Sequence, residues 1–142
     1  MCDEKKARVL LVEDDVTIRA MYAAVLRKAG FIVEEEDSAI EALELLASGE
    51  KYDTVITDVM MARMDGWEFL KAIRAGLKLD SVALPVIVMS AHFSSDTLRV
   101  EAFQKGASAT YTKAEPLSKL LNEVRIHTGR QRSRFDDTTI PD

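Results

Sequence analysis

The stretch Val9–Arg19, VLLVEDDVTIR, decides the fold. Four apolar residues suited to a dry core run directly into three acids, Glu13, Asp14 and Asp15. The apolar run reads as a buried strand. Beyond the acids, Ile18, Tyr22 and Val25 recur at helical spacing, so a helix follows. Three like charges at the end of a buried strand have two readings. They cap and complement the dipole of the helix, or they surround something positive. One acid suffices for a cap, and a second just before it worsens the repulsion.

The same alternation continues along the chain. Phe31–Val33, Thr54–Thr57, Pro85–Met89 and Ala109–Thr112 read as further buried strands. Leu43 and Leu46, Leu70 and Ile73, then Leu98, Ala102 and Phe103, and finally Leu117, Leu121 and Val124 mark helices between and after them. Gly30, Gly49, Gly76, Gly106 and Gly129 each follow a helical stripe, as left-handed C-terminal caps do. Ser38 with Glu41 forms a capping box, and Asp65 and Ser94 or Ser95 are candidate caps. Strand–helix repeated five times predicts an α/β fold: a doubly wound, five-stranded parallel sheet with helices on both faces. Residues 7–128 form the expected domain, preceded by an extension over 1–6. The polar, aperiodic stretch 129–142 reads as a tail or linker stub.

Composition bounds the function. A chain of 142 residues, 47% apolar and 30% charged, suits one globular domain with a core. A net charge of −5 argues against nucleic-acid binding by this domain. A lone Cys2, the absence of a leader and the lack of a membrane-length apolar run together predict a cytoplasmic protein.

Ligands of open parallel sheets bind beyond the carboxyl ends of the strands. There this chain places Glu13, Asp14 and Asp15, then Asp58, Ser90 and Lys113. Two like charges about 4 Å apart cost on the order of 4 kcal/mol at an effective dielectric near 20. One lysine cannot neutralise three acids. A hard divalent ion can, and Mg²⁺ binds one or two carboxylates together with waters and a phosphate. A carboxylate beside Mg²⁺ and an ammonium is a suitable nucleophile for phosphoryl transfer.

Four motifs in order resemble the receiver domain of two-component response regulators: VEDD, then DVMMARMDG, MSA and GASATYTK. The resemblance spans roughly residues 7–128 and implies a flavodoxin-like architecture. It implies that Glu13 and Asp14 are the metal-binding acids, with Asp15 a bystander because Arg19 sets the register. It makes Asp58 the phosphoacceptor, Met60 a backbone-carbonyl metal ligand, Ser90 the switch hydroxyl and Lys113 the phosphate-pairing lysine. The implied partners are a sensor histidine kinase or histidine phosphotransfer protein and an output domain or effector. The implied assembly is a monomer or a phosphorylation-dependent dimer.

Three positions depart from the family pattern. Ala62 stands where proline is usual, and Ala114 and Glu115 separate Lys113 from Pro116. The switch aromatic is expected three residues before the lysine, which here is Thr110. Tyr111 is one step nearer and so belongs on the opposite face. Two rival readings stand beside this one, an enzyme and a binding module on the same architecture. A Mg²⁺-dependent phosphatase with an aspartyl-phosphate intermediate normally carries an acid two residues after the nucleophile, where this chain has Met60. A flavin-binding module needs a phosphate-cradling loop after the first strand, where Glu13 and Asp14 would repel a phosphate.

Overall fold

The computed structural model describes residues 6–76, 84–91 and 95–135. Among these the order is β1 (Arg8–Val12), α1 (Val16–Lys28), β2 (Ile32–Glu36), α2 (Ala39–Ala47), β3 (Thr54–Asp58), α3 (Gly66–Gly76), β4 (Val86–Ser90), α4 (Asp96–Gln104), β5 (Ala109–Thr112) and α5 (Leu117–Phe135). The strands form one parallel sheet in the order β2-β1-β3-β4-β5, the flavodoxin-like arrangement that the alternation predicts. The strand order reverses between β1 and β3. The crevice at their carboxyl ends is therefore the expected ligand position.

Alternating side chains build two cores. Leu10, Val12, Val55, Val86 and Val88 pack against Ala39 and Ala42 of α2, Phe69, Leu70 and Ile73 of α3 and Ala102 of α4. Val9, Leu11, Ile56, Ile87, Met89, Ala109 and Tyr111 pack against Tyr22, Ala23 and Leu26 of α1 and Leu120 and Val124 of α5. β3, β4 and β5 are buried throughout, and β1 beyond its first residue, as continuous apolar runs require.

Several boundaries differ from the sequence reading. β2 extends through Glu34, Glu35 and Glu36, and only Val33 of it is buried. It is an edge strand, where outward acids are tolerated and block pairing with other chains. β3 and β4 each run one residue further, so Asp58 and Ser90 are the last residues of their strands. In α4 only Ala102 of the expected stripe is buried, while Leu98 and Phe103 are exposed. Gly30, Gly49 and Gly106 have positive φ and terminate helices as expected. Gly129 does not: the helical backbone passes through it to Phe135, and the stretch expected to be aperiodic from 129 is helical in its first part. A glycine costs a helix only about 1 kcal/mol relative to alanine, so it permits a stop without imposing one. Ser95 caps α4, while Ser94 and residues 136–142 lie outside the described residues. None of the helices among the described residues is long and apolar enough to cross a membrane.

Candidate functional site

Strand alternation brings the site together. Leu11, Ile56 and Tyr111 face α1 and α5. Two residues further along each chain segment stand Glu13, Asp58 and Lys113, which therefore point to the same side. Lys113 Nζ lies 2.9 Å from Asp58 Oδ1 and 3.2 Å from Glu13 Oε1. Glu13 and Asp58 are 2% and 4% exposed. Asp14 is exposed, and its Oδ2 accepts a hydrogen bond from Ala62 N at 3.1 Å. One carboxylate oxygen from each of Glu13, Asp14 and Asp58 lies within 4.8 Å of the others, close enough to share a metal ion.

Asp15 is separate from this group. Its Oδ1 accepts from Thr17 N at 2.9 Å and Ile18 N at 3.0 Å, which makes it the N-cap of α1. The opening question thus has a divided answer: one acid of the three caps the helix, and the other two face Asp58. Arg19 secures the turn from below. Its NH1 donates to the Glu13 carbonyl at 2.9 Å, and its Nε pairs with Glu35 at 3.3 Å.

Electrostatics leaves the group short of positive charge. Burial raises the Glu13 carboxyl above its ordinary value, and neighbouring Asp58 raises it further. Burial likewise raises Asp58, despite the opposing pull of Lys113. Burial works against the Lys113 ammonium, but Asp58 and Glu13 together hold its pKa above the usual lysine value. Lys113 is thus firmly charged, while its two buried partners are each held less readily as anions than in water. A second cation relieves that deficit, and the all-oxygen donor set suits a hard divalent ion.

The loop after Asp58 is shaped by close backbone approach. Gly66 N donates to Val59 O at 2.9 Å, and a Cβ on Gly66 would strike the Asp58 carbonyl oxygen and lie 2.8 Å from Val59 Cα. No other residue fits without moving the backbone that carries Asp58. α3 then starts with a reciprocal box: Glu68 N donates to Asp65 Oδ1 at 2.9 Å, and Asp65 N to Glu68 Oε1 at 3.0 Å. Within the loop Arg63 takes a left-handed φ of 68°, and Met60 is 70% exposed.

Ser90 is buried at the rim, one residue beyond the Asp58–Met89 pair of the β3–β4 ladder. Its carbonyl accepts from Lys113 N at 2.9 Å and seats the lysine's backbone beside β4. Thr110 and Tyr111 take opposite faces, and Tyr111 lies wholly within the α1–α5 core. The described chain carries no cis peptide bond. Sequence reasoning assigned no role to Glu115, whose carboxylate accepts from Thr112 N at 2.9 Å just beyond Lys113. The only available signal was its place in the two-residue departure before Pro116.

The comparisons agree with this geometry. The response regulator receiver domain family matches residues 9–125. The transcriptional regulatory protein ZraR of Klebsiella oxytoca is 35% identical over 133 residues, covering 92% of this chain and 29% of that protein. The response regulator MprA of Mycobacterium ulcerans is 32% identical over 130 residues, covering 92% of this chain and 53% of its own length. Among solved structures, the chemotaxis response regulator CheY4 of Vibrio cholerae superposes with a TM-score of 0.75 at 30% identity, covering 87% of this chain and 99% of that one. The BeF3-activated N-terminal receiver domain of Klebsiella pneumoniae RstA does so with a TM-score of 0.74 at 28% identity, covering 85% and 97%. A five-stranded parallel α/β sheet with an acid crevice at its switch point is the class to which this molecule belongs. The chain is a member of the response regulator receiver domain family. It spans only 29% and 53% of the two curated relatives named above.

Proposed function

We propose that this chain is a phosphorylation-dependent signalling switch in which Asp58 accepts the phosphoryl group. The observation that supports it is the Lys113 ammonium held between Asp58 and Glu13, with the Asp14 carboxylate alongside. Glu13, Asp14, Asp58 and the Met60 carbonyl are the proposed ligands of Mg²⁺, which when bound neutralises charge on the transferring phosphoryl oxygens. A carboxylate oxygen of Asp58 attacks phosphorus of a phosphohistidine. The P–N bond breaks and the freed imidazole takes a proton from water. Lys113 leaves Glu13 to hold one phosphoryl oxygen, and the Ser90 hydroxyl donates to another.

The proposed donor is a sensor histidine kinase or a histidine phosphotransfer protein. The proposed setting is the cytoplasm, where such donors phosphorylate their partners. Both curated relatives are longer than this chain, which supports an output domain or a separate effector as the reader of the switch. Receiver domains are switches rather than turnover enzymes. The phosphatase alternative lacks its acid: Met60 occupies the place two residues after Asp58. Acetyl phosphate with Mg²⁺ should add one phosphoryl group per chain by intact mass. Asp58→Asn should take up none, and equal labelling of that variant would disprove the assignment.

A further inference from the structure

The segment after Lys113 is where this chain departs from the family pattern. It is tied on itself from several directions. Glu115 N donates to Thr112 O at 2.8 Å, closing a turn with Lys113 at its corner. Tyr111 donates its hydroxyl to the Glu115 carbonyl at 2.6 Å. The Tyr111 ring is fully buried and meets Tyr22 edge-on, with centroids 6.4 Å apart. Burial pushes its phenol up to about 12, so the hydroxyl remains a donor throughout the neutral range. A ring so enclosed, with its hydroxyl occupied, is a fixed anchor rather than a moving reporter. Thr110, on the opposite face, has no ring to move.

The Glu115 side chain reaches in two directions. Oε1 accepts from Thr112 N at 2.9 Å, within the turn that bears Lys113. Oε2 lies 3.8 Å from Arg99 NH2 on α4, and the same guanidinium nitrogen donates to Thr112 Oγ1 at 3.4 Å. One carboxylate therefore joins the lysine's loop to a helix whose buried residue is Ala102. The Arg99 and Glu115 side chains are 31% and 25% exposed, so solvent screens the pair and keeps it weak. A weak, long link is suited to a switch because a small displacement of the loop is enough to remake or break it.

We propose that Glu115 is a positioning residue that transmits the state of Lys113 to α4, with one carboxylate oxygen holding the loop at Thr112 and the other holding the helix at Arg99. The inference rests on the reading of Asp58 and Lys113 given above. When Lys113 Nζ turns from Glu13 towards a phosphoryl oxygen, its backbone is drawn with it. Thr112 and Glu115 move as one hydrogen-bonded turn, and the pull on Arg99 changes. The exposed face of α4, which carries Val100 and Phe103, is thereby altered without any aromatic rotation.

The full chain is treated with acetyl phosphate and Mg²⁺. Two quantities are followed: phosphoryl incorporation by mass, and the change in amide hydrogen exchange over 96–104. Glu115→Gln keeps an oxygen for Thr112 N–H but removes the charge that faces Arg99. It should label within twofold of wild type while its α4 response falls at least threefold. Arg99→Gln should do the same, and the double variant should be no worse than either single one. Glu115→Ala loses the loop contact as well and should label at least threefold more slowly, a defect that Gln at the same position repairs. A purely structural Glu115 would not separate labelling from response in this way. A wild-type α4 response in both Gln variants, additive losses in the double variant, or a labelled wild type whose α4 does not respond would each overturn the proposal. A wild type that takes up no phosphoryl group would instead remove the reading of Asp58, and this inference with it.

Discussion

The two ends of the sheet handle charge in opposite ways. At the amino end, cations are matched to waiting acceptors. Arg74 donates to Leu84 O at 2.7 Å, Gly106 O at 3.0 Å and Ser108 Oγ at 3.3 Å, joining α3 to the start of β4 and the turn into β5. Arg8 donates its amide to Asp53 at 2.8 Å and a guanidinium nitrogen to Lys51 O at 2.9 Å, and stacks over Tyr52 at 4.7 Å. Thr54 and Thr128 share a buried hydroxyl hydrogen bond of 2.9 Å. At the carboxyl end, three carboxylates gather and one ammonium pairs with two of them, and burial raises the pKa of both Glu13 and Asp58. The same sheet thus has a rim whose cations meet hydrogen-bond acceptors and a rim where carboxylates outnumber the ammonium. That excess of carboxylate is what a divalent cation would relieve.

The contrast can be broken at either end. The largest effect should come from the amino-end rim. Arg74→Ala removes the donor of two backbone carbonyls in one step and should cost about 3 kcal/mol in urea unfolding. Its Mg²⁺ affinity should stay within twofold of wild type, and a joint loss of stability and metal binding would mean that the two rims are not independent. Next, Asp14→Ala should weaken Mg²⁺ binding at least tenfold by calorimetry. Asp15→Ala should leave the affinity nearly unchanged while costing about 1 kcal/mol as a lost N-cap. The reverse pattern would shift the metal pair by one residue.

A pH series sharpens the idea of a deficit. A carboxyl whose folded pKa is raised contributes stability that is present below its unfolded value and is lost as pH rises through the folded one. In metal-free protein, Asp58→Asn should therefore match wild type near pH 4. It should become the more stable of the two towards neutrality. Saturating Mg²⁺ should erase or reverse the difference. A variant less stable than metal-free wild type at pH 7 would show that Lys113 already balances the site. The smallest effect is expected for Tyr52→Phe. Among the described residues the Tyr52 hydroxyl is buried without a hydrogen-bond partner, the one flaw at the amino-end rim. Its removal should be neutral or stabilising by about 0.5 kcal/mol, because a neutral orphan costs far less than an unpaired charge.

Most of the architecture was legible because its signals are local. Apolar runs of strand length, helical stripes and glycine caps depend on neighbours a few residues apart. The acids that converge were legible too, because each follows a strand that the pattern identifies. Legibility failed where local chemistry permits two outcomes. Glu34, Glu35 and Glu36 look unlike a strand, yet an edge position accepts them because one face meets water. Gly129 looks like a stop, yet the helix continues through it. Leu98 and Phe103 look like a buried stripe, yet both are exposed.

By itself the sequence determined the α/β class and the residues that gather at the carboxyl rim. Period-two and period-3.6 patterns are set by covalent geometry, and strand ends follow from them. The register of Arg19 already implied how the three clustered acids divide, but only the tertiary structure supplied the distances, with Asp15 Oδ1 2.9 Å from Thr17 N and one oxygen each of Glu13, Asp14 and Asp58 within 4.8 Å of the others. It alone decided that Gly66 must lack a side chain beside the Asp58 carbonyl and that Glu115 reaches Arg99. The reason is physical: these outcomes depend on distances between segments far apart in the chain, and such distances exist only after the sheet has closed the space between them.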